Sequence, residues 1–131
     1  MRIYGTKQGR LDVERILVID DDRNIRVVLM KALENAGHEV DEAADGEEAI
    51  EYYVTMPYDV VISDINMPVK DGVESLLDLK TDYPDLKLIA ISGEDASLLK
   101  AAEELGAIKA IPKPFSVSEV VDVVEEILAA G

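Results

Sequence analysis

Ile16-Leu17-Val18-Ile19-Asp20-Asp21-Asp22 decides the fold of this chain. Four β-prone apolar residues follow one another without alternation and stop on three acids. A strand with water on one face alternates apolar and polar residues. A strand buried on both faces, as in a parallel sheet under helices, does not. Tyr58-Asp59-Val60-Val61-Ile62-Ser63-Asp64 has the same character and also ends on a carboxylate. The runs at Val18 and Val61 are therefore expected to be central strands.

Outward from these runs, helix and strand signals alternate. Ile25, Val28, Leu29, Ala32, Leu33 and Ala36 recur at spacings of three and four, and Gly37 follows as a stop. His38 to Ala43 alternates weakly around Val40, as an outer strand does. Asp45-Gly46 reads as a turn, Glu47 to Thr55 as a helix and Pro57 as a break. After Pro68 and an Asp71-Gly72 loop, Val73, Leu76, Leu77 and Lys80 keep helical spacing to a stop near Pro84. Leu86 to Ile91 is a strand ending at Ser92-Gly93, and Leu98, Leu99, Ala102 and Leu105 form a short helix ended by Gly106. Ile108 to Ile111 is a short strand ending at Pro112-Lys113-Pro114. Ser116, with Glu119 three residues on, caps a last helix carrying Val117, Val120, Val121, Val124, Ile127 and Leu128 on one side. Five strands alternating with five helices predict a three-layer α/β fold around a parallel sheet.

Composition narrows the function. At 131 residues and 48% apolar, the chain is long enough for one domain with a real core. It carries 13 basic and 28 acidic residues, a net charge of −15. Such a surface repels phosphate backbones and anionic lipid, so no direct nucleic-acid or membrane partner is expected. The absence of cysteine excludes disulfides and thiolate sites, and the single His38 excludes a multi-histidine metal site. No apolar run has the length of a membrane span or a signal peptide, so a cytoplasmic location is expected. Residues 1–13 are expected to be a flexible leader and 14–131 the domain. The acid-rich stretch from His38 to Glu51 reads as a solvated face.

Ligands of open parallel sheets sit at the carboxyl ends of strands. The first strand here ends in Asp20-Asp21-Asp22, the third in Asp64, the fourth in Ser92 and the fifth in Lys113. If the first and third strands are neighbours, Asp20, Asp21 and Asp64 crowd together and call for a proton or a cation. Oxygen ligands alone select a hard ion, Mg²⁺ first. Carboxylates, a divalent ion, a hydroxyl and a lysine suit phosphoryl transfer, with Asp64 as the carboxylate nucleophile. Taken singly, an Asp at a strand end is equally a turn or cap residue. Their joint placement carries the reading.

These residues resemble the receiver domains of bacterial two-component response regulators. The matching segments are Ile16 to Asp22, Val61 to Pro68, Asp71-Gly72, Ile89 to Gly93 and Lys113-Pro114-Phe115, in order, from about residue 14 to the end. The resemblance implies a flavodoxin-like sheet of order 2-1-3-4-5. It implies Asp64 as phosphoacceptor, with Asp21, Asp64 and the Asn66 carbonyl as ligands of Mg²⁺, or Mn²⁺ in its place. Asp20 would reach the metal through water. Ser92 and Lys113 would contact the phosphoryl group, and the Lys113-Pro114 bond would be cis. The expected partners are a sensor histidine kinase or a phosphotransfer protein and a downstream protein target; a phospho-dependent homodimer stays open.

Two positions depart from or refine that pattern. Ala110 stands three residues before Lys113, where the family often has an aromatic switch residue, so the usual coupling to the Ser92 hydroxyl lacks its ring. Asn66 and Glu94 stand two residues after Asp64 and Ser92, where such receivers tune hydrolysis of the aspartyl phosphate; a polar pair resembles fast-decaying members. The chain can equally be the receiver portion of a longer transcriptional or output-domain regulator. Two other classes compete: an Asp-nucleophile phosphatase, and a non-phosphorylated binding module on the same fold. The first wants a Thr or Val where Arg23-Asn24 stands, and the second tends to lose an acid or the lysine. A flavin site is disfavoured because the first loop is acidic.

Overall fold

The computed structural model describes residues 14–55, 57–65, 71–93, 100 and 102–130, with residues 71–76 as backbone only. The elements run β1 (Arg15–Ile19), α1 (Arg23–Asn35), β2 (Glu39–Ala43), α2 (Gly46–Thr55), β3 (Val60–Asp64), α3 (Asp71–Asp82) and β4 (Leu88–Ser92). A helix α4, of which residues 100 and 102–104 are described, then leads to β5 (Lys109–Pro112) and α5 (Val117–Ala130). The five strands form one parallel sheet in the order β2-β1-β3-β4-β5. The first thirteen residues, expected as a leader, lie outside the described residues.

The unalternating apolar runs are explained by two cores, one on each sheet face. Leu17, Ile19, Val61, Leu88 and Ala90 point to one side, against Ala49 and Tyr53 of α2, Leu79 of α3 and Ala102 of α4. Ile16, Val18, Val60, Ile62, Ile89 and Ile91 point to the other, against Leu29 and Leu33 of α1 and Val120 and Val124 of α5. Each fully buried Ile or Leu contributes about 2 kcal/mol of transfer free energy.

Helix ends follow local chemistry. Asp22 caps α1, its side chain accepting the Asn24 N–H at 2.8 Å. Gly37, at φ +99°, ends it, and no atom lies within 4 Å of an added Cβ there. The requirement is therefore the left-handed backbone and not space. Strand β4 begins at Leu88 and not Leu86, and β5 at Lys109 and not Ile108; two helix starts also differ from the sequence expectation. Gly46 belongs to α2, because Asp45 caps it by accepting the Glu48 N–H at 2.9 Å while Glu48 reaches back to the Ala44 N–H at 3.1 Å. Asp71 and Gly72 open α3 and are not a loop; an acid is favourable at a helix start.

The acid-rich stretch is more than a solvated face. Asp45 and Glu48 form that cap, Glu39 and Asp41 hold Arg15 at 3.1 and 3.0 Å, and Glu42 holds Arg26 at 2.6 Å. Glu47 and Glu51 remain exposed. Among the described residues, no helix is long and apolar enough to cross a membrane.

Candidate functional site

Parallel register brings the strand ends to one level. Ile19 pairs with Ser63, so Asp20, one residue on, stands beside Asp64. Asp64 pairs with Ile91, and Ser92 pairs with Pro112. Asp20, Asp64, Ser92 and, one residue past Pro112, Lys113 thus meet at the carboxyl edge of the sheet. Asp20, Asp64 and Ser92 are buried, at 1%, 3% and 0% exposure, whereas Asp21 is exposed.

One carboxylate oxygen from each of Asp20, Asp21 and Asp64 lies within 4.8 Å of the others. Asp22 is not part of this group; its side chain is committed to the α1 cap. Its N–H instead donates to Asp20 Oδ1 at 2.8 Å. Asp20 Oδ2 and Ser92 Oγ are buried and, among the described residues, have no hydrogen-bond partner. Burial pushes the Asp20 carboxyl up to about 6, against the Asp22 N–H, which lowers it; Asp64 and Asp21 add to the rise and Lys113 opposes it. A hard cation relieves this combination: clustered oxygens, an orphaned acceptor and mutual repulsion.

Lys113 supplies the cationic side of the site. Its Nζ donates to Asp64 Oδ2 at 2.7 Å. Burial works against the ammonium, but the hydrogen bond and charge of Asp64, helped by Asp20 and Asp21, outweigh it and hold the group above its usual value. The Lys113-Pro114 bond is cis, and the Lys113 N–H donates to the Ser92 carbonyl at 2.7 Å. That bond extends the β4–β5 ladder and sets where the lysine leaves the sheet.

Sequence reasoning missed one support. Arg26 Nη1 donates to the Asp20 carbonyl at 2.6 Å while its Nε binds Glu42 at 2.6 Å. It pins the Asp20 backbone without neutralising the Asp20 carboxylate. Its position four residues after the Asp22 cap, in the first turn of α1, is the only signal that could have pointed to it. Ile25 packs half-buried against the core between the sheet, α1 and α5, as its spacing predicts, and with Lys113, Pro114 and Phe115 it also lines a cavity of about 590 Å³ beside the lysine. Ala110 pairs with Ala90, two residues below Ser92, and packs half-buried against the α2–α3 core. Asn66 and Glu94 lie outside the described residues.

Comparison with known proteins agrees with this geometry. The family model of the response regulator receiver domain matches residues 16–125. The DNA-binding transcriptional regulator NtrC of Azospirillum brasilense is 39% identical over 115 residues, covering 86% of this chain and 24% of NtrC. Protein CcdB of Bacillus subtilis (strain 168) is 38% identical over 116 residues, covering 87% of this chain and 97% of CcdB. The structure of the chemotaxis protein CheY4 of Vibrio cholerae superposes with a TM-score of 0.80 at 28% identity, covering 88% of this chain and 98% of CheY4. The chain therefore spans about a quarter of NtrC but nearly all of CcdB and CheY4.

Proposed function

From the premise that this chain belongs to the response regulator receiver domain family, we propose that it is a phosphoacceptor switch in which Asp64 takes a phosphoryl group from a phosphohistidine donor. An Asp64 carboxylate oxygen attacks phosphorus, the phosphorus–nitrogen bond breaks, and the electron pair leaves with the donor imidazole, which takes a proton. The product is an aspartyl phosphate on Asp64. The observation that carries this reading is the contact of Lys113 Nζ with Asp64 Oδ2 at 2.7 Å beside the three clustered carboxylates.

Each described side chain has a role that its position supports. Lys113 orients Asp64 before transfer and can pair with a phosphoryl oxygen afterwards. Ser92, whose hydroxyl has no partner among the described residues, is free to donate to another phosphoryl oxygen. Asp20, Asp21 and Asp64, with the Asn66 carbonyl, are the groups that would hold Mg²⁺ or Mn²⁺. When bound, such an ion offsets the charge that builds on the phosphoryl oxygens. Asn66 and Glu94 are assigned to tuning hydrolysis of the product. The cavity lined by Ile25 and Phe115 leaves an approach for a donor imidazole beside Lys113. A sensor histidine kinase or a phosphotransfer protein is the donor of this chemistry, and a protein target reads the result.

The test is mass spectrometry after incubation with acetyl phosphate and Mg²⁺, repeated on Asp64→Asn. A gain of one phosphate that disappears in the variant supports the switch. Steady turnover of diverse phosphate esters supports a phosphatase instead, and no response supports a binding module.

A further inference from the structure

At the pole of the sheet opposite the carboxylates, the α2–β3 and α3–β4 connections enclose a separate cavity of about 370 Å³. Tyr53, Tyr58 and Tyr83 give it an aromatic lining, and Asp59, Asp82 and Asp85 stand around it against one ammonium, Lys87. None of these residues takes part in the site at Asp64. The volume is within the roughly 300–1,000 Å³ usual for ligand pockets.

The lining is fixed. The Tyr53 ring centroid lies 4.4 Å from that of Tyr83 and 5.9 Å from that of Tyr58, with the rings tilted by 53° and 46°. The Tyr53 hydroxyl donates to the Tyr58 carbonyl at 3.3 Å, and the Tyr58 hydroxyl donates to Asp41 at 2.5 Å. Both phenols are thereby held, and so are their ring planes. The α3–β4 turn is held by Lys80, whose Nζ donates to the carbonyls of Pro84 and Leu86 at 3.0 and 2.7 Å. A cavity with pinned walls is pre-organised and loses little on closing around a guest.

Ring faces attract cations, and carboxylates at the same opening add to the attraction. The pole already displays this chemistry once: the Arg15 guanidinium carbon lies 5.0 Å from the Tyr58 ring centroid. That guanidinium is neutralised by Glu39 and Asp41, whereas Asp82 and Asp85 are exposed at the cavity mouth. A guanidinium suits such a site better than an ammonium. It is planar, weakly hydrated, stacks on rings and forks onto carboxylates. An anionic guest would meet three carboxylates and one lysine.

We propose that this cleft binds the guanidinium of an arginine side chain carried on a partner's peptide segment. Tyr53 and Tyr58 are buried and form the floor; the head group lies at the mouth against the partly exposed Tyr83, Asp82 and Asp85 supply the counter-charge, and the backbone of the guest stays outside. The contact is independent of the chemistry at Asp64.

The test is an NMR titration of the full chain with a blocked Gly-Arg-Gly peptide, its citrulline counterpart and free arginine. Saturable shifts at the amides of Tyr53, Tyr83 and Asp85 are expected with the arginine peptide and not with citrulline. Asp82→Asn with Asp85→Asn, both exposed and so tolerated by the fold, should weaken binding about fivefold. Equal shifts with citrulline, an unchanged affinity in the double variant, or unsaturable shifts spread over the acidic surface would overturn the proposal. Free arginine binding as tightly as the peptide would overturn the peptide source. Tighter peptide binding by a chain lacking residues 1–10 would reassign the occupant to this chain's own Arg2 and Arg10 and overturn the partner.

Discussion

Lys113 reaches across the end of β4 to place its Nζ 2.7 Å from Asp64 Oδ2, joining the ends of two strands that are not neighbours in the sheet. The pair is asymmetric: the Asp64 side chain is 4% exposed and that of Lys113 31%. Lys113→Met keeps the stem and removes the charge, leaving Asp64 to face Asp20 and Asp21 without it. The metal-free variant should lose about 1–2 kcal/mol in urea unfolding, less than a fully buried pair because the lysine is partly in water. Mg²⁺ should recover most of that loss. A variant as stable as the parent without metal would show that the pair carries no net stabilisation.

Asp20 gives a pH dependence with a definite sign. Its carboxyl stands at about 6 in the folded protein against 3.8 as a free side chain. Between those values the folded protein keeps a proton that the unfolded chain has released. The stability it contributes is complete below about 4 and is lost as pH rises through about 6. Asp20→Asn should therefore be more stable than the parent at pH 7 without metal, and the difference should shrink as pH falls towards 4. Mg²⁺ should stabilise the parent at pH 7 and do much less for the variant. Chemical unfolding with EDTA or with Mg²⁺ across that range checks this, and parallel profiles would refute it.

Ser92 separates stability from chemistry. Its hydroxyl is buried and has no partner among the described residues, so Ser92→Ala removes an unsatisfied group. Stability should stay within about 0.5 kcal/mol of the parent or rise. Phosphorylation by acetyl phosphate should slow about tenfold, the worth of one hydrogen bond to a charged phosphoryl oxygen. Unfolding curves and intact-mass time courses on the same samples read the two effects. A destabilised variant with an unchanged rate would reverse both assignments.

The sheet was legible because its central strands obey one rule. Ile16 to Ile19 and Val60 to Ile62 do not alternate, and each neighbouring pair divides between the two cores. Asp20, Asp64, Ser92 and Lys113 were legible because strand ends converge in a parallel sheet. Helix starts were less so: a Gly after an Asp signals a turn and a helix start equally well, and Gly46 and Gly72 took the second form. The tyrosine cleft was not legible at all, and Arg26 only as a residue four places after a cap. They depend on which side chains meet across 16 residues, for Arg26 and Glu42, or across the α2–β3 and α3–β4 connections. No local period encodes that.

The rim of the site next to α1 separates two kinds of donor. Ile25 and Phe115, with Asn24, Val28 and Leu29, line an apolar cavity of about 200 Å³, and Val28 is 49% exposed. On the proposed reading, a protein that presents a phosphohistidine to Asp64 by way of the cavity beside Lys113 covers this patch. Acetyl phosphate is too small to need it. Val28→Asp puts a charge on an exposed position and should leave the fold intact, since surface changes cost about 0.5 kcal/mol or less. Transfer from a phosphorylated kinase domain should fall at least tenfold, the cost of about 1.4 kcal/mol at an apolar contact. Phosphorylation by acetyl phosphate should be unchanged. Loss of both rates would point to damage at Asp64, and retention of both would show that the donor approaches from another side.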